Sequence, residues 1–131
     1  MGTTADESAH WHTAQERAVF VRDILDRIGD KWSVIVICRL GTGSHRFNEL
    51  RRASDGITQR MLSSTLRALE RDGIVTRTVH PTVPPRVEYA LTETGRTLLD
   101  VVKALARWTD QHADVIRAAR ADCDRRTRVT A

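Results

Sequence analysis

Lysine is almost absent from this chain: of its 21 basic side chains only Lys31 and Lys103 are lysines. Aromatics are scarce too, at 5% of 131 residues, so any core must be built mainly from aliphatic side chains. No apolar run approaches the roughly 20 residues that span a bilayer. No hydrophobic signal segment stands at the N-terminus, and a membrane is not an expected partner. Only two cysteines occur, Cys38 and Cys123, far apart and without CxxC spacing. That excludes a disulfide framework and suits a reducing, cytoplasmic compartment. The five histidines are scattered. His10 and His12 alone are close, and a metal there would need ligands from another segment, so neither metal nor cofactor is expected. GxGxxG, P-loop, GxSxG and HExxH motifs are all missing, which argues against an enzyme.

What the chain does have is positive charge, unevenly spread. Its formal net charge is +4. Residues 42–90 hold 8 basic and 5 acidic side chains, whereas residues 1–41 hold 5 and 6. The length fits one domain with its own core. An excess carried by arginine favours polyanionic partners, because the guanidinium fork matches phosphate and guanine edges bidentately.

The most telling stretch is 56–91, GITQRMLSSTLRALERDGIVTRTVHPTVPPRVEYAL. Thr58 can cap a helix, with Ile57 and Leu62 at the hydrophobic-staple positions. Leu62, Leu66 and Leu69 recur at helical spacing and form its core stripe. At about 100° per residue, Arg60, Ser63, Ser64, Arg67 and Arg71 fall on the opposite side. Gly73 is the natural stop. Val75, Arg77 and Val79 then alternate with Thr76, Thr78 and His80 as a strand. PTVPP at 81–85 cannot continue a ladder, since proline lacks an N–H. Val87, Tyr89 and Leu91 share one face of a second strand, with Arg86 and Glu88 on the other. An arginine-faced helix followed at once by a basic hairpin predicts a winged helix, its helix in a DNA major groove and its hairpin on the flanking backbone.

The remaining segments frame that unit. Residues 1–12 are polar and aperiodic and are expected to be a flexible N-terminus. Apolar spacing through Val21, Ile24, Leu25 and Ile28 predicts a helix from about Thr13 to Gly29. Asp30 can cap a second, KWSVIVICRL, closed by Gly41. Its β-branched run would suit a strand, but being apolar all round it is expected to be a buried helix that shields Cys38. GSHR at 43–46 is a short strand or turn, and FNELRRA a short helix that turns through Ser54-Asp55-Gly56 into the arginine helix. Thr92 can cap a long final helix with an apolar stripe through Leu98, Val101, Val102, Leu105, Trp108, Val115 and Ile116. A helix this long exceeds what a small core covers and is expected to meet a second copy of itself, the first helix being the other candidate for that contact. The expected organisation is thus 1–12 as a flexible segment, 13–122 as one α+β, mostly α domain, and 123–131 as a flexible, solvated tail.

IGDKW, HRFNELRRA, GITQRMLSSTLRALERDGIV, VPPRVEYALTETG and the later Trp108 together resemble the HxlR-type family of bacterial winged-helix regulators, small relatives of the MarR regulators. The likeness covers roughly residues 19–112. It implies a homodimeric, cytoplasmic transcription factor, more often a repressor, with a winged helix-turn-helix and N- and C-terminal dimerisation helices. By position it implies groove contacts from Thr58, Gln59, Arg60, Ser63, Ser64 and Arg67, wing contact from Arg86, and phosphate contacts near His45, Arg46 and Asn48. Several members carry a reactive cysteine thirteen residues before the Trp of the Lys-Trp pair, and here that position is Val19, which has no thiol.

Two other readings need weighing. A winged helix can serve protein contact instead of DNA, although arginine on the recognition face argues against it. An apolar small-molecule effector can also bind such a protein, and Trp32, Phe47, Tyr89 and Trp108 are the candidate lining, with ordinary core packing the alternative for each.

Overall fold

The computed structural model describes residues 12–130. The expected flexible N-terminus, and His10 with it, lies outside the described residues save for His12. Five helices and three strands follow: α1 (Ala14–Gly29), α2 (Lys31–Leu40), β1 (His45–Arg46), α3 (Phe47–Ala53), α4 (Gln59–Arg71), β2 (Val75–His80), β3 (Arg86–Leu91) and α5 (Glu93–Thr130). The fold is α+β and mostly helical, with an antiparallel sheet ordered β1-β3-β2.

Local chemistry sets the boundaries. Thr13, Asp30 and Thr58 each accept a backbone N–H from the first turn of α1, α2 and α4. Thr92 does the same for α5, taking the Gly95 N–H at 3.0 Å. The end of α4 is a Schellman motif: Ile74 N–H reaches Leu69 O, Gly73 N–H reaches Glu70 O, and Gly73 takes φ +72°. A non-glycine residue there would be strained.

The core is aliphatic, as the scarcity of aromatics requires. Val36, Ile37 and Leu40 of α2, Leu50 of α3, Leu62, Leu66 and Leu69 of α4, and Ile74, Val75, Leu91 and Leu99 form one buried cluster. The staple residue Ile57 joins them.

Two sequence expectations need correction. α2 is buried along Ser33, Val36, Ile37 and Leu40 only, and Cys38 is exposed. An apolar surface all round predicted a fully covered helix, but the neighbouring elements cover one side of it. On α5, as expected of a helix longer than the core, the stripe covered within the subunit runs through Leu99 and Val102, while Val101 and Leu105 are more than half exposed. The segment expected as a flexible tail is helical through Thr130. Its side chains are solvated, with Asp122 pairing Arg125 at 3.4 Å and Arg126 at 3.2 Å one helical turn on.

Ser54, at the end of α3, is 2% exposed and its hydroxyl has no hydrogen-bond partner. Ser33 is equally buried, but its hydroxyl donates to Asp30 at 2.8 Å. Burying an unsatisfied hydroxyl costs about 1–3 kcal/mol. Ser54→Ala is therefore expected to stabilise the fold by about 1 kcal/mol in urea unfolding, whereas Ser33→Ala destabilises it. A loss of stability in Ser54→Ala would mean the hydroxyl is satisfied in solution.

Candidate nucleic-acid interface

α4 stands at the front of the fold, inward on Leu62, Thr65, Leu66 and Leu69. Gln59, Arg60, Ser64 and Arg67 are exposed on its other side, and Ser63 is half-buried at its flank. The structure thus brings five of the six expected groove residues to one helix side. Thr58 precedes that helix, and its Oγ1 is occupied by the Met61 N–H at 3.1 Å. Its hydroxyl oxygen is a structural cap first.

α3 and α4 make the helix-turn-helix, the turn passing through Gly56 at φ +88°. A cavity of about 370 Å³ beside the turn is lined by Asn48, Arg51, Arg52, Asp55, Gly56 and Ile57. Asn48 therefore lies where expected, beside two exposed arginines that the sequence reading did not single out. The Arg51-Arg52 pair on a short helix was the available signal. Arg71 is exposed opposite the leucine stripe, as expected, but stands at the far end of the helix. It lines a cavity of about 720 Å³ with Phe20, Asp23, Ile24, Asp26, Arg27 and Asp72, between α1 and the C-terminal end of α4. Arg27 Nε donates to Asp72 there at 2.8 Å and ties the first helix to the end of the arginine helix.

His45 and Arg46 diverge because they are neighbours on a strand. His45 turns to the protein: its Nε2 lies 2.9 Å from Thr42 Oγ1 and 3.1 Å from Arg39 O, with Nδ1 3.6 Å from Glu49. Arg46 is exposed, and its backbone N–H donates to the Glu49 carboxylate at 3.1 Å. That bond is the main cause holding the Glu49 carboxyl below its ordinary range, and His45 adds to it.

The hairpin pairs β2 with β3 from Val75↔Leu91 to His80↔Arg86. Its tip projects beyond the core, and Val79 and Val83 are exposed there. Arg86 is partly exposed and pairs with Glu88 at 3.3 Å. Arg77, exposed on the other face of the ribbon, is a second cation that the sequence reading passed over.

The four aromatics do not converge. Trp32, Phe47 and Tyr89 pack against the core cluster. Trp108 stands half-exposed on α5, stacked on His112 at 4.5 Å. Trp108 is separated from the others because the expected lining spans both the domain core and a helix that runs beyond it. Among the described residues no group of three or more His, Cys, Asp or Glu could hold a metal ion, and no helix is long and apolar enough to cross a membrane.

Helix-turn-helix, arginine-faced second helix and basic hairpin define a winged-helix transcriptional regulator. Residues 27–117 match the HxlR-like helix-turn-helix family, and the chain belongs to it. It is 49% identical over 98 residues to the HTH-type transcriptional regulator YybR of Bacillus subtilis, covering 75% of this chain and 78% of that protein. It is 39% identical over 99 residues to the regulator YtfH of Escherichia coli, covering 76% and 79%. Among solved structures, the reduced form of the redox regulator HypR superposes with TM-score 0.68 at 49% identity, covering 75% of this chain and 97% of that one. A MarR-family regulator from Enterococcus faecalis V583 superposes with TM-score 0.69 at 38% identity, covering 83% and 96%. These relatives are transcriptional regulators and not enzymes.

Proposed function

We propose that this chain acts as a homodimeric, sequence-specific DNA-binding repressor, seating two copies of α4 in successive major grooves of a pseudo-palindromic promoter site. The observation that carries the reading is the outer side of α4. Gln59, Arg60, Ser64 and Arg67 stand exposed opposite the buried leucines, flanked by the Arg51-Arg52 pair and the hairpin. Short hydroxyls allow close approach, and Gln and Arg can address adenine and guanine edges. Arg46, Asn48, Arg51, Arg52 and Arg86 supply the sequence-independent contacts to phosphate. His45, turned inward, serves by fixing β1. Occlusion of the promoter is the simplest means by which such a dimer represses.

Control by a chemical signal is supported by the likeness to the redox regulator HypR. Val19 offers no thiol, so exposed Cys38 and Cys123 are where an oxidant would meet this chain. Trp108, half-exposed on α5, stands outside the core that Trp32, Phe47 and Tyr89 pack against, which weakens the case for an apolar effector lined by all four.

Arg60→Ala tests the reading face. Footprinting of the promoter regions beside the gene supplies the operator. Arg60→Ala is then expected to lose about 1–3 kcal/mol of specific binding and to relax one base position. Arg86→Ala should instead weaken all duplexes alike and lower the salt slope by about one. Operator binding by Arg60→Ala equal to wild type would overturn the assigned face. The rival, a winged helix used for protein contact, predicts no steep salt dependence of duplex binding at all.

A further inference from the structure

Two basic side chains, one of them a histidine, contact a single carboxylate on one face of the sheet, and an arginine stands across from it on the next strand. Glu88 of β3 is paired with Arg46 of β1 on one side and Thr78 of β2 on the other, and His80 is paired with Arg86. Cross-strand partners, and residues two apart on one strand, point to the same side. Arg46, His80, Arg86 and Glu88 therefore share the face opposite Tyr89 and Leu91, which pack against the core.

On that face His80 Nε2 lies 3.4 Å from one Glu88 oxygen and Arg86 Nε 3.3 Å from the other. Both nitrogens are buried, yet neither has a hydrogen-bond partner. Neither contact has the alignment of a hydrogen bond, so both exchange readily for a better acceptor. The other residues on this face of β2 and β3 are Thr76, Thr78 and Ala90, all uncharged. Tyr89, Arg77 and His45, with Glu49 beside it, belong to the opposite face. The helices and their charges lie on that opposite side as well.

With His80 neutral, the group carries two guanidinium charges against one carboxylate, and Glu88 neutralises much of Arg86. Histidine is the side-chain type whose charge changes between about pH 5 and 8. A proton taken from solvent by His80 adds one positive charge to the face and gives Glu88 a second cation to pair with. Resting on the DNA-binding reading above, we propose that Glu88 and His80 are positioning residues that make the wing's hold on the DNA backbone proton-dependent. Glu88 restrains Arg86 while His80 is neutral. Protonated His80, on the other Glu88 oxygen, neutralises the carboxylate, weakens its hold on Arg86 and leaves the guanidinium available to a phosphate oxygen.

The test is fluorescence anisotropy of a short random-sequence duplex titrated with wild-type chain, His80→Gln and Glu88→Gln, at about pH 6 and about pH 8, each over a salt series. Wild type should bind about two- to fivefold more tightly at the lower pH, the size of one exposed ion-pair exchange. Its salt slope should steepen by about one there, as for one added phosphate contact. His80→Gln should lose that steepening while keeping wild-type affinity at the higher pH. Glu88→Gln should bind at the higher pH as tightly as wild type does at the lower, a gain that misfolding does not produce. A pH response that survives in His80→Gln, or no gain in Glu88→Gln, overturns the proton link and leaves DNA binding standing. No duplex binding by wild type at either pH overturns the DNA-binding reading and the proton link with it.

Discussion

Leu105→Asp is expected to convert the proposed dimer to a monomer and to reduce operator affinity by about a hundredfold or more, since a single half-site cannot recover the linked binding of two. The physical argument lies in the two terminal helices. No residue of α1 is buried, and Val19, Val21 and Leu25 are 46–60% exposed. On α5, Val101, Leu105 and Trp108 are 50–55% exposed and Val115 is 67% exposed. Apolar area of this extent on two long helices is what one subunit presents to another. An aspartate in such an interface would be buried without a partner, which costs several kcal/mol, and the interface would open instead. Light scattering at micromolar concentration reads the first effect and operator titration the second. A wild-type monomer, or a Leu105→Asp dimer with unchanged affinity, would show that the exposed stripe has another use.

Gly95→Ala should lower stability by about 3 kcal/mol or more, the upper end for overpacking, because its obstruction is backbone. Gly95 sits in the first turn of α5, and a Cβ built there runs into the carbonyl oxygen of Ile74, with Leu91 Cδ2 at 3.1 Å. That carbonyl also accepts the Thr92 N–H at 3.0 Å and the Thr92 hydroxyl at 3.2 Å. A methyl group at position 95 must therefore push apart the start of β2 and the cap of α5, and both hydrogen bonds weaken. Thermal unfolding should fall by about 10 °C for a domain of this size. Gly29→Ala is the control: nothing lies within 4 Å of its Cβ position, and alanine favours helix. A Gly95→Ala chain melting with wild type would mean that α5 can rotate away from β2 at little cost.

The proton-linked wing and the reading face draw on different residues, so the variants separate cleanly. Under the proposed function Arg60 would act on base preference, Arg86 on the backbone, and His80 and Glu88 on how much of Arg86 is free. Leu105 acts on none of these locally and changes only how many half-sites are held together.

The sequence by itself determined the elements and their order. Asp30, Thr58 and Thr92 cap their helices as expected, Thr13 caps α1 in the same way, and Gly73 ends α4 in the left-handed conformation. Caps, stops and the period of Leu62, Leu66 and Leu69 act over a few residues, so their outcome is written locally. The outward Arg60, Ser64 and Arg67 followed from that same period, and Gln59 from the family resemblance. What covers each face was a tertiary decision. Cys38 sits in an apolar helix yet is exposed, because the neighbours cover only the Ser33, Val36, Ile37 and Leu40 side. Arg71 lies on the same helix as Arg60 but lines the cavity beside α1, since that helix packs near one end of α4 and not the other. Trp108 parts from Trp32 because α5 runs beyond the core. Placing Arg46, His80 and Arg86 on one face with Glu88 needs strand register, which joins residues about forty positions apart and leaves no local mark in the chain.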